Sequence, residues 1–169
     1  MVRKGQKTNL CLAEYKLAMF VGRRRHEENI KRKAHDRAIK IDDPIGSNQN
    51  SMAAEIGMCK MWNVYPDLQC QGANKFDFKV WSENDNRFVT FDIKTVNNVH
   101  KNLLVTEWHI KKPCDWYVLV LADIKNHRTI TCLGYAPKDM VFDPRNLRSD
   151  YKGYWVGTSK DLIDMPYIC

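Results

Sequence analysis

The sequence predicts a mixed α/β domain: one central mixed sheet of four to five strands, flanked by helices, with a basic helical extension at the N-terminus. Three observations predict it. Apolar residues recur at helical spacing in two stretches before residue 65. Apolar and polar residues then alternate strictly over Lys75–Trp81 and again over Arg87–Val96, the pattern of half-buried strands. Finally, Trp116 to Ala122 is an unbroken apolar run, as expected of a central strand covered on both faces. A length of 169 residues with 44% hydrophobic and 11% aromatic content suits one globular domain.

Leu10 to Lys40 reads as a helix, with Leu12, Tyr15, Leu17, Ala18 and Val21 forming its apolar stripe. Pro44, Gly46, Ser47 and Asn48 mark a break. Ser51 to Val64 reads as a second helix with Ser51 as N-cap, apolar nearly all round and therefore buried. Glu55 is its acidic exception. A carboxylate there needs a helix terminus, a partner or a cation. In the first alternating segment Phe76, Phe78 and Val80 share one face, and Lys75, Asp77 and Lys79 the other. In the second, Val89, Phe91 and Ile93 oppose Thr90, Asp92 and Lys94. The polar turn Ser82 to Asn86 joins the two as an antiparallel hairpin. Leu103 to Glu107 fits a short strand or a helical turn equally. Thr129 to Tyr135 follows as a strand, Ala136 to Phe142 as a short helix start, and Gly153 to Val156 as an edge strand.

The net charge of +7 is unevenly placed: residues 1–40 hold 12 basic and 4 acidic residues, and the rest of the chain 15 and 16. An excess confined to one segment points to a polyanionic partner. Arg23, Arg24, Arg25, Lys31, Arg32 and Lys33 are the candidate phosphate contacts, joined by Lys111 and Lys112. The six cysteines form no Cys-x-x-Cys pair, so a zinc site is not expected, and reduced structural thiols are. No run is long enough to span a bilayer, and no signal-type stretch follows Met1 to Lys7, so the expected location is a cytoplasm.

Asp92-Ile93-Lys94 sets an acid and an amine on one face of one strand, with α-carbons about 6.6 Å apart. A carboxylate can hold a hard divalent cation while a nearby lysine orients water and offsets charge on a phosphate. Besides Asp77 itself, the triplet Asp/Glu-x-Lys occurs at Glu14, Asp92, Asp123 and Asp150. Only the second has an acid, Asp77, on a preceding hairpin strand and a helix glutamate before that.

In this order of Glu55, Asp77 and Asp92-Ile93-Lys94, the chain resembles the PD-(D/E)XK, or restriction-endonuclease-like, nuclease superfamily over roughly residues 45–135. Residues Gly46 to Glu55 look like the helix entrance of small phage-encoded members, and Lys112 to Leu121 like the core strand after the motif. The resemblance implies a catalytic core over 45–135, with a basic region at 1–44 and an extension at 136–169. It implies that Glu55, Asp77, Asp92 and the Ile93 carbonyl hold one or two Mg²⁺ or Mn²⁺ ions, and that Lys94 is the catalytic lysine. Phe76 stands where a proline is usual, and no later glutamine or lysine stands out as completing the site. The expected activity is hydrolysis of nucleic-acid phosphodiesters, most simply by a DNA endonuclease in a host cytoplasm, with no membrane partner and with a homodimer open. The other readings are a non-catalytic nucleic-acid-binding or interaction module on the same fold, and a dimeric junction-resolving enzyme.

Overall fold

A computed structural model describes residues 2–31, 43–70, 76–149, 152–157 and 161–165. Strand β1 (Lys7–Asn9) and helix α1 (Leu12–Lys31) are followed by helix α2 (Pro44–Trp62). Strands β2 (Phe78–Ser82), β3 (Arg87–Val96), β4 (Leu103–Thr106), β5 (Trp116–Asp123) and β6 (Thr129–Pro137) come next. Helix α3 (Lys138–Val141) and strands β7 (Leu147–Arg148) and β8 (Gly153–Val156) complete the order.

The mixed α/β class is as predicted. The main sheet has five strands in the order β1-β6-β5-β3-β2, and its β3–β5 pair alone is parallel. Strand β5 is central. Val118, Val120 and Ala122 enter the core under α2, while Tyr117 and Leu119 enter a second core on the other face. The hairpin β2–β3 has Phe78 opposite Phe91 and Val80 opposite Val89, so those side chains face the helices. Among the described residues the two long helices lie on that face. The other is covered by a small antiparallel sheet, β4-β8-β7, with the one-turn α3. Among the described residues the long helices of the expected flanking therefore lie on one face.

Helix α2 begins at Pro44, seven residues before the predicted Ser51. The Asp43 carboxylate accepts from the Gly46 N–H at 2.8 Å, and Pro44 occupies the first turn, where its missing N–H is harmless. Ser51 is thus inside the helix. So is Glu55, too far from the N-terminus to draw on the helix dipole. Strand β2 starts at Phe78 rather than Lys75, which leaves Asp77 just ahead of the ladder. The stripe on α1 is also shifted. Leu12 and Leu17 are exposed, and Ala18, Val21 and Gly22 are the buried positions. The predicted continuation of this helix past Lys31 lies outside the described residues.

Small residues at that position let the helices touch. A Cβ at Gly22 would stand 2.6 Å from the Gln49 Cα, and the Gln49 side-chain amide donates to the Met19 carbonyl at 3.1 Å. One turn further along α1 is Arg25, and further along α2 is Glu55. The close crossing is what sets these two opposite each other. Among the described residues no helix is long and apolar enough to cross a membrane. Replacing Gly22 by Val should separate the helices and cost about 1–3 kcal/mol. Urea unfolding would register this as a lower midpoint with an unchanged slope.

Candidate active site

Period-two geometry sets Asp92 and Lys94 on the face of β3 away from α2. There Asp92 is fully buried, at 0% exposure. One of its oxygens accepts from Lys94 Nζ at 2.5 Å, and the other from Lys112 Nζ. Burial pushes the Asp92 pKa up, but the two ammonium groups overcome this and hold the carboxyl below its usual value. Lys112 is likewise pulled down by burial and raised overall by Asp92 and Asp77.

Asp77 joins the cluster through the backbone. Its carboxylate accepts from the Ile93 N–H at 2.5 Å, and its own N–H donates to the Phe91 carbonyl at 2.8 Å. The N–H and C=O of one strand residue project to the same edge, so the Ile93 carbonyl also faces the Asp77 side. Burial, then the charge of Asp92, raises the Asp77 pKa to about 6 against the pull of Lys112 and Lys94.

Glu55 approaches from α2. Both its oxygens accept from Arg25 Nη1, at 2.7 and 2.8 Å. Burial, followed by the charge of Asp77, drives its pKa up to about 8, with Asp92 adding to the rise and Arg25 opposing it. Glu55 is therefore near enough for its charge to interact with those of Asp77 and Asp92.

The connection from β3 to β5 roofs this cluster. A 3₁₀ turn, Glu107–Lys111, brings in His109, whose carbonyl accepts from the buried Tyr117 hydroxyl at 3.4 Å. The His109 Nε2 lies 3.1 Å from Lys94 Nζ, and its Nδ1 lies 2.8 Å from Thr106 Oγ1. An ammonium can only donate, so Nε2 accepts and Nδ1–H donates to the threonine. Burial and the neighbouring Lys94 keep the ring neutral, with a pKa pushed down to about 3. Lys112, just after the turn, has its carbonyl held by Lys138 Nζ at 2.7 Å.

The structure thus brings together Glu55, Asp77, Asp92, Ile93 and Lys94, all named from sequence. It changes the roles of two others. Arg25 is not a phosphate contact, because it holds Glu55 and also donates to the carbonyls of Asp67 at 2.7 Å and Gln69 at 3.1 Å. Lys112, expected as a phosphate contact, is a direct partner of Asp92. Arg23 and Arg24 lie on the exposed side of α1 and pair with Glu27 at 3.2 and 3.3 Å, and Lys31 pairs with Glu28 at 2.8 Å. Lys111 is exposed. Arg32 and Lys33 lie outside the described residues. His109 is not among the residues that the sequence singles out. Its part in the cluster shows in no spacing, since a single 3₁₀ turn has no long periodicity.

Among the described residues, no group of three His, Cys, Asp or Glu side chains is disposed as a ready metal cage. Each carboxylate instead has a cationic or N–H partner. A hard divalent cation nevertheless fits the chemistry of the donor set. Carboxylate and carbonyl oxygens are its preferred ligands, and Glu55 and Asp77 repel each other and Asp92 in a way that added positive charge relieves. Polar hollows of about 480 and 500 Å³ lie elsewhere, beyond the C-terminal ends of β3 and β5, beside Asn97 and Lys125. The chain matches no family model, no curated protein and no solved structure.

Two outcomes follow from these charges. Glu55 and Asp77 have ordinary values of 4.5 and 3.8 and are both raised in the fold, so each binds more protons folded than unfolded. Their contribution to stability is complete below those ordinary values and is lost as pH rises through about 6 for Asp77 and about 8 for Glu55. Thermal unfolding in EDTA should therefore show this part of the stability falling across that window, and Mg²⁺ should raise Tm more at its alkaline end. Secondly, Arg25→Met alone should cost about 3–5 kcal/mol, because it strands a buried carboxylate, and adding Glu55→Gln should recover much of the loss. A double-mutant cycle in urea measures both.

Proposed function

We propose that this chain is a metal-dependent nuclease, hydrolysing nucleic-acid phosphodiester bonds on a restriction-endonuclease-like core, most simply as a DNA endonuclease. One observation carries the reading: the Asp77 carboxylate is bonded to the N–H of Ile93, the residue between Asp92 and Lys94. That bond fixes the first acid against the strand that bears the second acid and the lysine. Five Asp/Glu-x-Lys triplets occur in the chain. This one has a cross-strand carboxylate bonded into it and a helix glutamate coupled to it.

In this reading Glu55, Asp77, Asp92 and the Ile93 carbonyl hold one or two Mg²⁺ ions. The bound ion supplies Lewis-acid polarisation of the phosphoryl group and stabilises the leaving oxyanion. The chain's own groups do the rest. Asp77 and Asp92 orient the oxygen donors. Lys94, tethered between Asp92 and the neutral His109, presents an N–H toward the attacking water or a phosphate oxygen. Lys112 balances the second oxygen of Asp92, so the buried carboxylate stays ionised. Arg23, Arg24 and Lys31 are placed to meet phosphates along the exposed side of α1, and Arg32 and Lys33 extend that run in the sequence.

A second reading is favoured by the complete burial of Asp92 between two lysines. The cluster is then a structural polar core in a module that binds nucleic acid without cutting it. The two separate in a supercoiled-plasmid and oligonucleotide assay. The nuclease reading expects cutting with Mg²⁺ or Mn²⁺, none in EDTA, and a loss of about a hundredfold or more in Asp92→Asn and Lys94→Ala. Salt-sensitive binding without cutting, or variants that cut as well as the parent, would refute it.

A further inference from the structure

The face of the hairpin that carries Asp92 and Lys94 continues outward as an exposed aromatic strip. In the β2–β3 register Lys79 lies opposite Thr90 and Trp81 opposite Phe88. The same alternation that sets Asp92 and Lys94 on this face therefore sets Thr90 and Phe88 beside them. Core packing does not use the outer part: Trp81 is 43% and Phe88 49% exposed. The two rings meet edge to face at 5.2 Å, and Lys79 Nζ stands 4.3 Å from the Phe88 ring centre. Phe88 is four residues from Asp92, about 13 Å along the strand. On the roof of the cluster, Trp108 is 59% exposed and stacks on His109 at 3.7 Å, and His109 touches Lys94.

We infer that this strip is a binding track for unpaired nucleotides, so that the substrate is single-stranded nucleic acid or a single-stranded segment of a larger one. The inference rests on the nuclease reading and names its substrate class. Exposed aromatic faces next to a cation match the two demands of an unpaired strand, bases to stack and phosphates to neutralise. A duplex keeps its bases stacked internally and offers these rings nothing. The hairpin turn carries Glu83 and Asp85, so general positive charge does not account for the strip; stacking beside the local Lys79 does. Continuity with Asp92 along one strand face leads the bound strand to the carboxylates.

The test is fluorescence anisotropy with a fluorescein-labelled oligodeoxythymidylate of about a dozen nucleotides, and with the duplex it forms with oligodeoxyadenylate, in EDTA so that nothing is cut. The intact chain should bind the single strand more tightly than the duplex. Trp81→Ala and Phe88→Ala should each weaken single-strand binding by about tenfold and leave duplex binding unchanged. Trp81→Phe should keep most of the affinity, and circular dichroism checks that each variant is folded. Unchanged single-strand affinity in the double variant would overturn the inference. So would a dimer, seen by light scattering, that Trp81→Ala splits, since the strip would then cover a second copy of this chain. A protein that binds through Trp81 but cuts nothing with Mg²⁺ upholds the track and refutes the nuclease reading. One that cuts but binds independently of Trp81 and Phe88 refutes the track alone.

Discussion

Glu55, Asp77 and Asp92 lie near one another in a poorly solvated place, where the neighbouring negative charge makes Glu55 and Asp77 harder to ionise. Much of the surrounding architecture can be understood as compensation for that repulsion. Asp92 is held between Lys94 and Lys112. Asp77 leans on a backbone N–H. Glu55 takes the guanidinium of Arg25. The partners come from β3, from α1 and from the β3–β5 connection, so the electrostatic demand of the site reaches the helix pair, the hairpin and that connection together.

That demand explains choices which packing alone does not. The helices α1 and α2 must cross closely enough for Arg25 to reach Glu55, and Gly22 against Gln49 makes the approach possible. The connection between parallel β3 and β5 must pass over Asp92, and it does so with a 3₁₀ turn anchored by Tyr117 and Lys138. The compensation is complete enough for Asp92 but not for Asp77 and Glu55, which remain raised. Repulsion left over in this way is what a bound divalent cation would relieve, and it links the stability of the fold to the occupancy of the site.

The legible parts of the fold were those with a period. Strand β5 could be read because both its faces are buried and its run is continuous. The pairing of Asp92 with Lys94 could be read because side chains repeat every second residue in a strand. Strand β1 escaped because three residues carry no period. The start of α2 escaped because Pro44, Gly46, Ser47 and Asn48 read as a break, while the cap lay at Asp43 and these residues form the first turns of the helix. Arg25 was indistinguishable from Arg23 and Arg24, since only the helix crossing separates one that pairs with Glu55 from two that face solvent. His109 and Lys112 sit in a non-repetitive connection, and their convergence on Asp92 depends on the crossover that returns the chain beside β3.

The central claim is that these buried acids form a cation site and not merely an ion-paired core. Mn²⁺ titration followed by electron paramagnetic resonance tests it most directly, because free and bound Mn²⁺ give distinct signals without any need for turnover. The account predicts saturable binding of one or two ions, tighter as pH rises through the range in which Asp77 and Glu55 ionise, and lost in Asp77→Asn. A folded chain that binds no Mn²⁺ at any pH in that range, or one whose binding is untouched by Asp77→Asn, would contradict it.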